Sequence, residues 1–99
     1  MSNEEPLAPR LVIQHTGQVF PLTQETLTIG RGTENQIVLD DPQASAQQAR
    51  VSWDDGAGAY IIEDLDGDED SYVNERRLDA PQPLVDGDVI RLGNTIIDV

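Results

Sequence analysis

Short runs in which apolar and polar residues alternate recur along the chain, with turn residues between them. In residues 26–29 the alternation places Leu27 and Ile29 on one face, and residues 48–53 alternate in the same way. A period of two is typical of a strand with one buried face, whereas a helix repeats after about 3.6 residues. Strands that recur about every 8 to 12 residues with turn signals between them predict an all-β sandwich.

The turn signals divide these runs into strands and hairpins. The predicted strands are residues 11–14, 19–22, 26–29, 36–39, 48–53, 59–63, 72–74, 89–92 and 95–99. Gly17 predicts a first hairpin, and the turn at 54–58 predicts a second hairpin through the middle of a sheet. A break is expected at 81–83, where two prolines flank a glutamine. The best helical candidate, residues 44–50, is no longer than about two turns.

Composition indicates a small acidic binding domain. A chain of 99 residues is expected to form one domain, without room for an enzyme cleft of ordinary depth. Its 19 acidic and 6 basic residues give a net charge of -13, so its surface should repel nucleic acids and anionic membranes. The absence of cysteine excludes disulfides and thiolate metal sites and fits a reducing compartment. The cytoplasm is therefore the expected location, with neither nucleic acid nor membrane as a partner.

The two ends of the chain differ from its middle. Residues 1–9 are rich in proline and glutamate and are expected to form a disordered lead-in to a domain at 10–99. We expect no signal peptide from the composition of this N-terminal segment, and no apolar run approaches the roughly 20 residues that span a bilayer. The last strand is apolar up to Val99, which indicates a domain cut from a longer polypeptide.

Short motifs follow one another in a distinctive order. They are Gly30-Arg31, the segment 35–39, Ser45, Asp64-Leu65, Val73-Asn74 and the turn at 86–88. This order resembles the forkhead-associated (FHA) domain over roughly residues 10–99. The resemblance implies a β-sandwich of two sheets and about eleven short strands, with loops at one end that bind a phosphothreonine peptide. It implies a protein-interaction module without enzymatic activity and without a cofactor.

The resemblance also implies roles for individual loop residues. Arg31 would hold the phosphate through bidentate, charge-assisted hydrogen bonds, and the Ser45 hydroxyl would add a further contact. The arginine and histidine that follow this serine in the family are replaced here by Ala46 and Gln48. The Gln48 amide has donors and an acceptor, so it could replace some of the hydrogen bonds that bridge the loops. Ala46 can replace none.

The third loop departs furthest from the family pattern. The hydroxyl position that would contact phosphate is Asp68, and the asparagine position that would hold the peptide backbone is Glu69. A charge-assisted hydrogen bond contributes roughly 1.5 to 3 kcal/mol, whereas like charges about 4 Å apart repel by about 4 kcal/mol at an effective dielectric constant of about 20. We therefore expect a degenerate site with weak or phosphate-independent binding, in a regulatory or scaffold domain of a larger protein. The alternative is a functional phosphothreonine-peptide binder that uses Arg31 and Ser45.

The acidic segment 64–75 has two further interpretations. Carboxylates recur in it at the spacing of a calcium-binding loop, with candidate ligands Asp64, Asp66, Asp68, Asp70 and Glu75. Glu69 argues against calcium binding, because a calcium-binding loop needs a glycine at this position. The same carboxylates would also attract a basic segment, either in the same polypeptide or in a partner protein. The lone His15, with no cysteine or serine nearby, gives no indication of catalysis.

Overall fold

Short strands form two sheets that pack into a sandwich. The computed structural model describes residues 9–65 and 71–99. Within them the eleven strands are β1 Arg10–Ile13, β2 Val19–Pro21, β3 Leu27–Gly30, β4 Ile37–Val38, β5 Ala49–Asp54, β6 Ala59–Asp64, β7 Ser71–Val73, β8 Arg76–Arg77, β9 Gln82–Pro83, β10 Val89–Leu92 and β11 Thr95–Asp98. One sheet has the order β2-β1-β11-β10-β7-β8, and the other has the order β4-β3-β5-β6-β9. This is the all-β sandwich that the strand pattern predicts.

Adjacent strands pair where the turn signals predict hairpins. β1 and β2 pair antiparallel across Gly17, and the long hairpin of β5 and β6 lies near the middle of its sheet. β10 and β11 form a third hairpin across Gly93. The edge strand β4 instead pairs in parallel with β3, so the chain between them must reverse its direction twice.

The core lies between the two sheets and is aliphatic. In strands such as β1, β6 and β10 alternate residues point inward. Fully buried side chains come from both sheets: Ile29, Val51 and Ile62 from one, and Leu11, Ile90 and Ile97 from the other. Burying a side chain of this size stabilises the fold by about 1.5 to 3 kcal/mol. The register is therefore fixed, because a slip by one residue would turn an entire strand's apolar side chains toward solvent.

The structure corrects two of the sequence-based expectations. Residues 81–83 do not simply break the chain, because Gln82–Pro83 form β9 and pair with Ile61 and Ile62 of β6. Proline is tolerated there since β9 is an edge strand, whose outer N–H needs no partner. The candidate helix at 44–50 is an irregular, bent segment that enters β5 at Ala49.

The strand registers define two ends of the molecule. At the first, which we call the loop end, β3 ends, β5 begins opposite the end of β6, and the start of β7 pairs with the end of β10. At the opposite end lie the tip of the β5–β6 hairpin and the turn before β10. In residues 9–65 and 71–99 no helix has the length and apolar character needed to cross a membrane.

Candidate functional site

Two connections at the loop end are joined through their backbones. After β3 the chain turns, and the Arg31 N–H donates to the Ser45 carbonyl at 2.9 Å. The next N–H, of Gly32, donates to the Ala46 carbonyl at 3.0 Å. These bonds place Arg31 next to Ser45, as the motif order implies.

Gly30 is required for this close approach. It is buried, and a Cβ at this position would collide with the Ala46 carbonyl oxygen. Any side chain would therefore push the segment that carries Ser45 away from the end of β3.

The Arg31 side chain is held at its base and exposed at its tip. Its Nε donates to the Ala44 carbonyl at 3.0 Å, and the residue as a whole is exposed. In the part of the chain that the structure describes, no carboxylate lies within ion-pair distance of its guanidinium. The two terminal nitrogens thus face solvent beside the Ser45 segment, in a position to bind an anion.

The Gln48 side chain connects two of the loop segments from inside the domain. Its side chain is fully buried; Oε1 accepts a hydrogen bond from the Ser45 N–H at 2.8 Å, and Nε2 donates to the Ser71 hydroxyl at 2.9 Å. One amide therefore ties the β4–β5 connection to the first residue of β7. Both bonds use the donor and acceptor capacity that the sequence analysis noted for the Gln48 amide.

Asn35 secures the same loops from the other side. It is buried, and its Nδ2 donates at 2.7 Å to the carbonyls of Gly32 and Ala46. Its Oδ1 has no hydrogen-bond partner among the described residues. Sequence reasoning used Asn35 only as part of a motif. The available signal was an asparagine inside a turn, where its amide commonly satisfies backbone groups.

Asp41 fastens the β4–β5 connection to the β10–β11 turn. Its buried carboxylate accepts hydrogen bonds from the Thr95 hydroxyl at 2.7 Å, the Asn94 N–H at 2.8 Å and the Gln43 N–H at 2.9 Å. Burial raises the pKa of Asp41, but these hydrogen bonds and the charge of His15 outweigh it and hold the pKa below its ordinary value. No local motif in the sequence indicates the contacts with Asn94 and Thr95, because these residues lie 53 and 54 positions away along the chain.

The remaining candidate residues are placed as follows. Ser45 is buried apart from a small fraction and its hydroxyl makes no hydrogen bond to another described residue, while Ala46 is exposed. Asp64 ends β6 at the loop end, opposite Ala49. The other third-loop residues with assigned roles, Asp66, Asp68, Glu69 and Asp70, lie outside the described residues.

The calcium candidates that the structure describes do not lie together. Asp64 is at the loop end, whereas Glu75 follows β7 in the turn to β8. The three residues of β7 separate those two places, and each residue of a strand advances about 3.3 Å. Among the described residues no group of three or more potential metal ligands occurs.

Comparison with known proteins identifies the domain type. A family model for the FHA domain matches residues 27–93. The FHA domain-containing protein FhaA of Mycobacterium tuberculosis is 33% identical over 84 residues, which is 85% of this chain and 15% of FhaA. The chain therefore spans a small fraction of the length of that relative.

Solved structures agree with the sequence match. The crystal structure of the FhaA FHA domain, in complex with the intracellular domain of another protein, superposes with a TM-score of 0.81 at 30% identity, covering 90% of this chain and 96% of that one. Mycobacterium tuberculosis EmbR, in complex with a low-affinity phosphopeptide, superposes with a TM-score of 0.80 at 30% identity, covering 90% of this chain and 23% of that one.

Proposed function

The chain belongs to the FHA domain family, and we propose that its loop end binds peptide segments of partner proteins, with only weak affinity for phosphothreonine. One observation carries this proposal. The exposed Arg31 guanidinium lies beside the Ser45 segment, on loops held together by Asn35 and the buried Gln48. Such a fixed pair of a cation and a hydroxyl suits an anionic or polar group on a peptide.

Phosphate affinity is expected to be weak because the rest of the phosphate grip is missing. Ala46 offers no side-chain donor, and the sequence places Asp68 and Glu69 in the connection between β6 and β7. Arg31 alone would have to offset two carboxylates beside a phosphate dianion. Repulsion of about 4 kcal/mol for each close pair of like charges exceeds the roughly 1.5 to 3 kcal/mol that one charge-assisted hydrogen bond contributes.

The same charges favour a different peptide chemistry. Carboxylates that repel phosphate attract lysine and arginine. A peptide that carries a basic residue beside its contact with Ser45 would therefore gain binding free energy from the charges that weaken the binding of a phosphopeptide. The partner we propose is accordingly a protein segment with basic character, located in the same polypeptide or in another protein. EmbR, which is 30% identical, has been solved in complex with a low-affinity phosphopeptide.

Titration with three forms of one peptide tests the proposal. The peptides carry phosphothreonine, threonine or lysine at the same position, and binding is followed by NMR. We expect the phosphothreonine form to bind more weakly than micromolar, and Arg31→Ala to remove its remaining phosphate-dependent affinity. Arg50→Ala is the matched control, because Arg50 pairs with Glu63 at 2.9 Å on the sheet and should not change peptide binding. Micromolar, phosphate-dependent binding by the unmodified domain would contradict the proposal.

Restoring the residues that the family has at positions 68 and 69 tests whether the loop carboxylates cause the weak phosphothreonine affinity. The double variant Asp68→Thr with Glu69→Asn should bind the phosphothreonine peptide at least about tenfold tighter, which corresponds to about 1.4 kcal/mol. The control is Glu25→Asn with Asp79→Thr, which removes the same charge at exposed positions elsewhere. Equal gains in both double variants would assign the effect to net charge, and the loop carboxylates would then have no specific role.

A further inference from the structure

A second concave surface lies at the end of the sandwich opposite the loop end. It is an apolar groove of about 840 Å³, and the side chains that line it include Leu22, Trp53, Tyr60, Leu84, Val85 and Val99. This volume falls within the roughly 300 to 1,000 Å³ typical of ligand sites. None of the groups assigned to the loop end contributes to it.

The walls of the groove are fixed by hydrogen bonds. The Leu84 N–H donates to the Tyr60 carbonyl at 2.8 Å, and the Val99 N–H donates to the Asp88 carbonyl at 2.9 Å. The Tyr60 hydroxyl accepts from the Gln24 N–H at 2.9 Å. Because these bonds hold Tyr60, Leu84 and Val99 in place, these parts of the groove need not be ordered by a ligand.

Some of the aromatic and aliphatic side chains that line this groove are exposed to solvent. The rings of Trp53 and Tyr60 meet edge to face with their centres 5.0 Å apart. Trp53 is half-buried, and Val85 at the rim is 62% exposed. Apolar side chains left in such a concave surface gain free energy when an apolar ligand covers them.

The rim of the groove is acidic. Asp86 and Asp98 line it, and Arg10 is the cation among the described lining residues. Asp98 already accepts hydrogen bonds from the Gln14 amide. Asp86 is exposed, and its carboxylate makes no hydrogen bond to another described residue. An anionic ligand is disfavoured here, whereas a cation beside an apolar group would meet the unused Asp86 carboxylate.

We propose that this groove is a second binding site, for an apolar side chain of a partner protein that lies next to a lysine or arginine. The apolar side chain packs on Trp53 and Leu84, and the neighbouring cation pairs with Asp86. The domain would then hold two protein segments, one at each end of the sandwich. This inference is independent of how the loop end binds its peptide.

Trp53 provides a direct test, because it is the single tryptophan of the chain. The probes are 4-phenylbutylamine, 4-phenylbutanol and 4-phenylbutanoate, which share one apolar body and differ in charge. We expect a saturable change in Trp53 fluorescence with the ammonium form, affinity lower by about fivefold for the alcohol, and no saturation with the carboxylate. Equal responses to the three probes, or no response to the amine, would overturn the proposal.

Two variants locate the binding. Ala59→Phe fills the groove from one of its lining positions and should abolish the response to the amine and to the alcohol. Asp86→Asn should lower the affinity for the amine by about fivefold and leave the affinity for the alcohol unchanged. Asp40→Asn, at an exposed position near the loop end, should change neither affinity. If Asp86→Asn and Asp40→Asn behave alike, no specific ion pair forms. A concentration-dependent change in Trp53 emission without any probe would assign the groove to a second copy of the chain and contradict a partner segment.

Discussion

Individual buried polar residues give the loop end its shape. Gln48 is fully enclosed, yet both ends of its amide are used, by the Ser45 N–H and the Ser71 hydroxyl. A buried polar group without a partner costs about 1 to 3 kcal/mol, so the Ser45 N–H and the Ser71 hydroxyl both depend on Gln48. The position of the exposed Arg31 side chain therefore depends on these buried hydrogen bonds.

Gln48→Leu should therefore destabilise the domain by about 2 to 4 kcal/mol, because it leaves the Ser45 N–H and the Ser71 hydroxyl buried without a partner. Urea unfolding measures the loss, and amide hydrogen exchange should show faster exchange at Ser45. Gln47→Leu is the control, since Gln47 is exposed and substitutions at such positions usually stay within about 0.5 kcal/mol. Similar losses in both variants would exclude a specific role for the bridge.

Asp41 gives the domain an acid-sensitive contact. Its pKa is below the ordinary value, so on acidification the unfolded chain binds a proton at Asp41 before the folded chain does. The stability that Asp41 supplies is therefore complete above about pH 4 and is lost as pH falls through the lower folded-state pKa. We expect Asp41→Asn to cost about 1 to 3 kcal/mol near neutral pH, and the gap to the unsubstituted domain to narrow below about pH 4.

Comparing the two proteins at each pH cancels the contribution of the other carboxylates, which titrate in both. The control at neutral pH is Asp40→Asn, on the exposed neighbour, with an expected change within about 0.5 kcal/mol. A gap that stays constant from neutral pH down to about pH 3 would contradict the linkage argument.

At the scale of the elements, the turn between β7 and β8 carries backbone strain. Asn74 and Glu75 have φ angles of 53° and 70°, in the left-handed region. Two such residues form the tight turn that suits the twist of a hairpin, and the preferred pair is asparagine followed by glycine. The Asn74 side chain stabilises the turn further, because it donates to Asp88 at 2.8 Å and accepts from the Val89 N–H at 2.9 Å.

Glu75→Gly should accordingly stabilise the domain by about 0.5 to 1 kcal/mol, since glycine adopts a positive φ without the clash that a Cβ causes. Thermal and urea unfolding both measure this gain. Glu75→Gln keeps the Cβ and removes the charge, so it distinguishes the backbone effect from relief of acidic repulsion. Equal stabilisation by the two variants would show that charge, and not backbone conformation, sets the cost of Glu75.

The sequence predicted most of these elements but not all. Strands such as β5 and β10 alternate between buried and exposed residues, and that pattern is visible in the chain. β8 and β9 have two residues each, too few to show any period, and they exist because β7 and β6 offer open edges. In the site, Arg31 and Ser45 follow from a motif. The contact of Asp41 with Thr95 spans 54 positions, so no local spacing could indicate it.

At the scale of the whole molecule, the distribution of charge sets how ligands approach. The net charge is -13, and basic side chains are few; Arg50, for example, is engaged by Glu63. At short range Arg31 attracts an anionic peptide, but at longer range the summed field of the domain repels it. Salt screens the long-range repulsion more strongly than the contact itself, because the screening length is about 8 Å at physiological ionic strength.

The association rate of an acidic phosphothreonine peptide should therefore rise as salt increases from about 20 to 200 mM, by several-fold, as repulsion over more than a screening length is removed. A peptide of the same length with lysines in place of its acidic residues should show the opposite dependence, because the domain's field attracts it. Both rates can be obtained from NMR line shapes, which suit weak complexes. If the two peptides respond to salt with the same sign, then the local field at Arg31 and Ser45 governs approach, and the net charge of the domain does not.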